Sequence, residues 1–243
     1  AASRVSHIRA LSERLEIHFL SNPKGVCQFA LLTDWTDSIH EHAADDNELL
    51  SAALARIAAL NQRHGGDRFL ILHRSRQWNA AQGVWMGWER KRGKLHELNR
   101  LLRGATDTSY IVVGGKLNGN VRYVVTLDAD TRLPRDTVRR LVGKIAHPLN
   151  HAQFDSAARC VTRGYGILQP RVTASLPVGH GGSLYQRLYS SHRGIDPYVF
   201  AVSDVYQDLF GEGSFTGKGI YDVDVFEAAL DGCVPENTML SHD

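Results

Sequence analysis

Apolar residues follow two alternating patterns along the first 150 residues of the chain. In four segments they recur at spacings of three and four, which is typical of amphipathic helices. Those segments are 3–20, 49–60, 91–103 and 138–145. Between them lie three short runs dominated by apolar residues, at 27–35, 68–73 and 121–127. Such runs predict strands buried on both faces. Because helices and strands alternate, the pattern predicts an α/β fold with a parallel sheet and right-handed crossover connections.

The pattern after residue 150 is less regular. It predicts a strand, two helices, a glycine-rich loop and a last helix, at 165–171, 183–192, 200–209, 211–219 and 223–231. Neither an internal repeat nor a linker of biased composition interrupts the chain. We therefore expect one continuous domain over 1–243.

Composition narrows the class of protein only moderately. The chain has 43% hydrophobic and 22% charged residues and a net charge of +2, which is typical of an ordinary globular domain. This charge gives no support to a nucleic-acid-binding function or a membrane-surface function. Three separated cysteines favour a reducing compartment. The chain lacks an 18-residue apolar run, a signal peptide and an initial Met, so we expect a domain of a longer protein.

The strongest chemical signal is Asp128-Ala129-Asp130, directly after the run that ends at Leu127. Carboxylates at the carboxyl end of a buried strand point into the crevice where open α/β sheets bind ligands. Two of them close together require a positive partner, and a hard divalent cation with substrate phosphates supplies it. The alternative is structural: Asp130 or Thr131 caps a helix that begins near Pro134.

Four signals follow one another in a recognisable order. An acidic strand end (Asp34, Asp37) precedes a basic helix with Gly93-Lys94 and Leu98-Asn99, then the Asp-x-Asp pair, then GSFTGKGIY at 213–221 before Asp243. This order resembles that of processive inverting glycosyltransferases of the GT-A fold. The longer runs FLSNP, FALLTDWTD, WNAAQGVWMGWERKRGKLHELNRLLRG, TLDADTRLP, YGILQPRV and FTGKGIYDVDVFEAAL, with the final SHD, resemble the glycosyltransferase domain of cyclic β-1,2-glucan synthases.

The resemblance implies a GT-A-like, Rossmann-type mixed sheet flanked by helices. Residues 1–150 then form the nucleotide-sugar and metal half, and residues 151–243 the acceptor half. It also implies an opening strand before the first residue of this chain and a Gln-x-x-Arg-Trp motif beyond its last. The implied activity is an inverting β-1,2-glucosyl transfer from UDP-glucose to a β-glucan acceptor. The domain would lie on the cytoplasmic face of the bacterial inner membrane, joined to the rest of a membrane-embedded synthase.

Residue roles on the donor side follow from the same resemblance. Asp128 and Asp130 would bind Mg²⁺ or Mn²⁺ with both phosphates, and Asp34, supported by Asp37, would accept from the uracil N3–H. Lys94 would contact the diphosphate, in the helix segment that also carries Asn99. A turn after the strand is the alternative for Asp34. Basic neighbours of Lys94 are expected to be solvated; these are Arg90, Lys91 and Arg92.

On the acceptor side, Asp243 would be the catalytic base. Gln169 and Arg171 would contact sugar hydroxyls, and Gly217 and Gly219 would let the backbone approach the acceptor closely. Three tryptophans predict a small packed cluster rather than a sugar-stacking surface; they are Trp78, Trp85 and Trp88.

Two other functions compete with this one. A sugar-1-phosphate nucleotidyltransferase shares a related sheet, but it requires a glycine-rich, basic phosphate loop after its first strand. A non-catalytic module would bind glucan or support assembly. Loss of an opening strand would expose a neighbouring strand edge, and exposed edges invite pairing between chains. We therefore also expect a tendency to form a homodimer.

Overall fold

A computed structural model describes residues 4–172, 183–184, 209–210, 215–235 and 237. The helices are α1 (Val5–Ser21), α2 (Asp46–His64), α3 (Arg90–Leu102), α4 (Thr137–Ile145) and α5 (Val223–Leu230). The first five strands are β1 (Phe29–Asp34), β2 (Phe69–Arg74), β3 (Gln77–Asn79), β4 (Val84–Met86) and β5 (Tyr110–Gly114). The others are β6 (Tyr123–Thr126), β7 (Gln153–Asp155), β8 (Cys160–Arg163), β9 (Ile167–Leu168) and β10 (Gly219–Asp222).

Two three-stranded sheets organise the described part of the chain. The first has the order β1-β2-β5, with β1 and β2 parallel from Phe29 opposite Phe69 to Asp34 opposite Arg74. Strand β5 is antiparallel to β2. The second sheet has the order β6-β10-β9, and both of its strand pairs are antiparallel. The described residues also form two short antiparallel hairpins, β3–β4 and β7–β8.

The predicted α/β class is confirmed, but the expected parallel sheet is reduced to one strand pair. Strand β6 does not join β1 and β2, because it pairs antiparallel with β10. The sequence pattern predicts a glycine-rich loop over 211–219 and no element over 220–222. The structure instead has strand β10 at Gly219–Asp222, which is buried at every position. The strand expected over 165–171 shortens to β9, which pairs with β10 at only two positions.

Alternation along β2 explains how the first sheet is buried on both faces. Phe69 and Ile71 pack with residues of α1 and α2, including Ile8 and Ile57. The intervening residues of β2 face another cluster, which contains Leu98 and Leu102 of α3 and Tyr221 and Val223 of the last strand and helix. Helix α3 therefore packs against residues of both sheets. This packing also positions the basic residues in the first turn of α3.

Within the described ranges, no helix has both the length and the apolar content required to span a membrane. Helices expected at 183–192 and 200–209 fall largely outside those ranges, as does the beginning of the glycine-rich loop.

Candidate active site

Ion pairs bring the predicted donor-site elements together. Asp34 ends β1, Asp128 follows β6, Lys91 and Lys94 lie in α3, and Lys218 immediately precedes β10. Nζ of Lys94 lies 2.9 Å from Oδ2 of Asp34, and Nζ of Lys218 lies 2.6 Å from Oδ2 of Asp128. Lys91 contacts the other oxygen of Asp128. Each acidic strand end thus contacts a lysine of α3.

Asp34 belongs to a buried network centred on Arg74, the last residue of β2. The Arg74 side chain is fully buried; its Nε donates to Asp34 Oδ1 at 2.7 Å and its Nη1 to Glu97 Oε2 at 2.8 Å. The other Glu97 oxygen accepts from the backbone N–H of Ser109 at 2.6 Å. The carbonyl of Trp88 accepts from Arg74 as well, at 3.0 Å. Arg74 therefore ties β1, β2 and the start of α3 to one another.

Burial alone would favour the neutral carboxyl group of Asp34. The charges of Lys94 and Arg74 outweigh that effect, and the pKa of Asp34 is lowered from its ordinary value. Gly87 lies directly against this carboxyl group, since a Cβ built there would be 2.7 Å from Asp34 Cγ. The expected uracil contact of Asp34 stays a prediction. Lys94, expected at the diphosphate, has its ammonium group on Asp34.

Asp37 forms a two-point ion pair with Arg90, with both N–O distances at 2.6 Å. The Arg90 side chain is only 10% exposed, so the expectation that Arg90 is solvated is wrong. Lys91 and Arg92 also form ion pairs, with Asp128 and Glu89. The basic run at the start of α3 therefore pairs with acidic residues, although the Lys91 and Arg92 side chains keep 40% and 25% of their surface exposed.

Asn99 is fully buried on the side of α3 that meets the last strand and helix. Its amide donates to Glu227 Oε1 at 2.6 Å, and its carbonyl oxygen accepts from the Tyr221 hydroxyl at 2.8 Å. These contacts hold α3 against β10 and α5. The predicted place of Asn99 in the donor site stays a prediction, and its observed hydrogen bonds are structural.

The turn that carries the Asp-x-Asp pair is separate from the helix that follows it. The backbone N–H of Thr131 donates to the carbonyl of Asp128 at 3.1 Å and closes the turn. Helix α4 begins at Thr137, with Asp136 at its N-cap position. The alternative in which Asp130 or Thr131 caps this helix is therefore wrong. Burial tends to raise the pKa of Asp128, but hydrogen bonds from Lys218 and Lys91 lower it from its ordinary value.

Asp128 and Asp130 fit a hard divalent cation only with help from a substrate. No group of three or more His, Cys, Asp or Glu side chains in the described ranges is placed to hold a metal ion. Two carboxylates in one turn supply the oxygen ligands that Mg²⁺ prefers, and Mg²⁺ is commonly held by one or two carboxylates plus phosphates and water. The Asp128 side chain is 31% exposed, and Asp130 is exposed. Both can thus be reached from solvent.

The predicted acceptor-side residues have mixed surroundings. Gln169 Oε1 accepts from the backbone N–H of Thr216 at 2.7 Å. Nε and Nη2 of Arg171 are buried without a hydrogen-bond partner among the described residues. Gly217 has a φ of +75° and borders Lys91. Gly219 is the first residue of β10 and not a loop residue; a Cβ there would be 2.6 Å from the Leu168 carbonyl oxygen.

Asp243, the expected base, lies outside the described residues. The predicted packed cluster of three tryptophans is not formed. Trp78 and Trp85 face each other across the β3–β4 hairpin, with ring centroids 5.9 Å apart, and Trp78 is 53% exposed. Trp88 instead neighbours His96 of α3.

Three contributors to the site were not identified from the sequence as functional residues: Arg74, Lys91 and Lys218. Arg74 ends a strand as Asp34 does, which was a usable signal for a second charged group at the same edge of the sheet. Lys91 lies in a run of basic residues that predicts a solvated helix face. Lys218 lies between two glycines that predict a loop. Local sequence carries no signal that both lysines meet Asp128.

No family model matches the chain. Over 240 residues the chain is 55% identical to "Cyclic beta-(1,2)-glucan synthase NdvB" of Rhizobium meliloti (strain 1021). The match covers 98% of this chain and 8% of that relative, so the chain spans about one twelfth of the length of the relative it matches. The predicted resemblance to cyclic β-1,2-glucan synthases is thereby confirmed at the level of sequence: this chain is similar, along nearly all of its length, to one segment of such a synthase. The assignment of that segment as a GT-A glycosyltransferase domain stays a prediction.

Proposed function

We propose that this chain is the glycosyltransferase module of a glucan synthase. In this proposal it has a GT-A-like fold and transfers glucose from UDP-glucose to a β-glucan acceptor with inversion at the anomeric carbon. The observation that carries the proposal is Asp128 at the end of β6, facing lysines of α3 and of the loop before β10. The similarity to a cyclic β-(1,2)-glucan synthase supports the choice of glucan and of the 1→2 linkage.

The donor would bind between the ends of β1 and β6. Asp128 and Asp130 would hold Mg²⁺ or Mn²⁺ together with phosphate oxygens of the donor. Such an ion neutralises the negative charge that develops on the departing diphosphate. Asp34 would accept from the uracil ring, and Arg74 and Lys94 keep its carboxylate ionised and fixed in position.

The transfer would be a single displacement. The acceptor hydroxyl oxygen forms a bond to the anomeric carbon while the bond from that carbon to the UDP oxygen breaks. The hydroxyl proton passes to one positioned base, for which Asp243 is the proposed residue. Because the diphosphate leaves as a stabilised anion, no second carboxyl group is needed to protonate it, in contrast to a glycosidase.

The similarity to a much longer synthase also supports a place within a larger assembly. We propose that the module acts beside the rest of a membrane-embedded synthase, at the cytoplasmic face of the bacterial inner membrane. A β-glucan chain would be its acceptor, and no nucleic acid is expected as a partner.

Calorimetric titration of UDP-glucose into the 243-residue chain, with and without Mn²⁺, tests the donor site. We expect binding that requires Mn²⁺ and that weakens by about tenfold or more in Asp130→Asn, because one proposed ligand of the metal ion is lost. Asp67→Asn changes an exposed aspartate outside the site and should bind like the wild type.

Two results would contradict the proposal. One is that the 243-residue chain, shown by circular dichroism to be folded, does not bind UDP-glucose. The other is metal-dependent binding of UTP and glucose 1-phosphate in place of UDP-glucose, which would indicate a nucleotidyltransferase.

A further inference from the structure

Asp128 contacts two ammonium groups from different parts of the fold. Lys91, in the first turn of α3, contacts Oδ1, and Lys218, before β10, contacts Oδ2 at 2.6 Å. Lys91 also donates to the carbonyl of Gly217 at 2.9 Å. One carboxylate thus faces two positive charges, and both of its oxygens are engaged by ammonium groups.

These contacts conflict with the metal role of the same carboxylate. A divalent cation needs an oxygen of Asp128 as a ligand, and the ammonium groups of Lys91 and Lys218 already interact with both oxygens. Cations repel one another strongly at such short distances. Because of this repulsion, a metal ion binds more favourably at Asp128 once at least one lysine has moved away from it.

The displaced lysines remain close to the metal position and need a new anionic partner. Their side chains are 40% and 25% exposed, so they can reorient without unfolding α3 or the loop before β10. A diphosphate group is negatively charged, and the ammonium group of lysine, which acts as a point charge, binds phosphate well. Gly217 leaves room for Lys91 to move. A Cβ at this position would lie 2.9 Å from Nζ of Lys91, so a side chain there would obstruct the reorientation of Lys91.

We infer that Lys91 and Lys218 are diphosphate-binding residues, which neutralise Asp128 in the metal-free site and transfer to the diphosphate when metal and donor bind. This inference rests on the proposed function for the identity of the donor. It assigns the diphosphate contact to these two lysines, whereas Lys94 pairs with Asp34. It also predicts that metal and diphosphate each raise the affinity for the other, because the diphosphate draws the lysines away from Asp128.

Manganese binding to the chain alone provides the first half of the test, with free Mn²⁺ measured by electron paramagnetic resonance. Lys91→Met and Lys218→Met each remove a competitor for Asp128. We expect both variants to bind Mn²⁺ about fivefold or more tightly than the wild type, at the lower end of typical coupling between sites.

Binding of preformed manganese pyrophosphate, measured by calorimetry, provides the second half. The same two variants lack a diphosphate contact and should bind this complex about fivefold or more weakly. Lys218→Arg keeps the positive charge and should retain most of the affinity for it. Lys144→Met changes an exposed lysine of α4 and should leave both measurements at the wild-type values.

Opposite changes in the two affinities distinguish this role from a structural one. If both affinities fall in folded Lys→Met variants, the lysines only support the fold, and the inference is overturned. Unchanged affinities overturn it as well. If the opposite changes are seen but the wild type does not bind UDP-glucose, the inference holds and the proposed donor is wrong. If UDP-glucose binds with Mn²⁺ and the lysine variants behave like the wild type, the proposed donor is supported and the inference about the lysines is overturned.

Discussion

His73 shows how the strand pair β1–β2 buries a titratable group beside the candidate site. It lies opposite Thr33 in the parallel register, and its Nδ1 is 2.7 Å from the Thr33 hydroxyl. Its ring packs edge-on against Trp35, with centroids 4.0 Å apart. Burial lowers the pKa of His73 from 6.5 to about 4, although Asp34 and Asp46 act in the opposite direction. The imidazole is therefore neutral in the folded chain at pH 7.

This shift predicts a loss of stability in mild acid. The unfolded chain binds a proton at His73 near pH 6.5, whereas the folded chain does so only near pH 4. The stability gained from burying a neutral imidazole at His73 is fully present above pH 6.5. The free energy of unfolding should fall by up to about 3 kcal/mol as the pH drops from 6.5 to about 4. Urea unfolding at several pH values measures it.

His73→Gln should unfold with a smaller pH dependence between pH 6.5 and pH 4, because the titrating group is gone. His40→Gln removes an exposed histidine and should keep the wild-type dependence. Equal slopes for wild type and His73→Gln would show that another group controls acid stability.

At the scale of elements, the start of α3 is the junction on which the candidate site depends. Glu89 and Arg90 both have left-handed backbone conformations, with φ of 49° and 50°, which are unusual for residues other than glycine. The carbonyls of Trp88 and Arg90 accept from buried Arg74. Strain of this kind persists only where the surrounding structure compensates for it, and here the Arg74 network does so.

Two helical glycines provide a matched test of this junction. A Cβ at Gly93, in α3, would lie 2.1 Å from the Trp88 carbonyl oxygen, whereas nothing lies within 4 Å of a Cβ at Gly143 in α4. Gly93→Ala should destabilise the chain by about 1–3 kcal/mol through overpacking. Gly143→Ala should stabilise it by about 0.5–1 kcal/mol, because alanine favours helix. Urea midpoints measure both; a shift of the same sign in the two variants would contradict the close packing at Gly93.

At the scale of the whole molecule, the described strands leave sheet edges without a strand partner among the described residues. Among the described residues, β1 pairs only with β2, and β6 pairs only with β10. Unpaired edges present backbone N–H and C=O groups to another chain. Strand β5 is the opposite edge of the first sheet and carries Ile111, whose exposure is 55%.

The open edge of β1 predicts self-association. Light scattering should show a dimer fraction that increases with protein concentration, because pairing of strand edges satisfies backbone groups on both chains. Ile111→Lys places a charge on the β5 edge and should leave the association unchanged. A monodisperse monomer at every concentration would exclude this prediction, and loss of association in Ile111→Lys would move the contact to β5.

Local pattern was sufficient to predict most helices and three of the strands. Apolar spacing identified α1 to α4, and apolar runs identified β1, β2 and β6, because periodicity depends on neighbours within a few residues. The same runs placed Asp34 and Asp128 at strand ends. A strand as short as β10, beside a glycine-rich segment, has too few residues for a period to appear, so β10 and its pairing were missed.

What the sequence by itself determined is therefore the class of fold, the order of the main elements and the acidic strand ends. Only the tertiary structure decided that β6 pairs with β10, that Arg74 is buried between Asp34 and Glu97, and that Lys91 and Lys218 meet at Asp128. Those contacts join residues far apart in the chain. Their formation depends on which surfaces can be buried together and which charges must then be paired, and no local window of sequence contains that information.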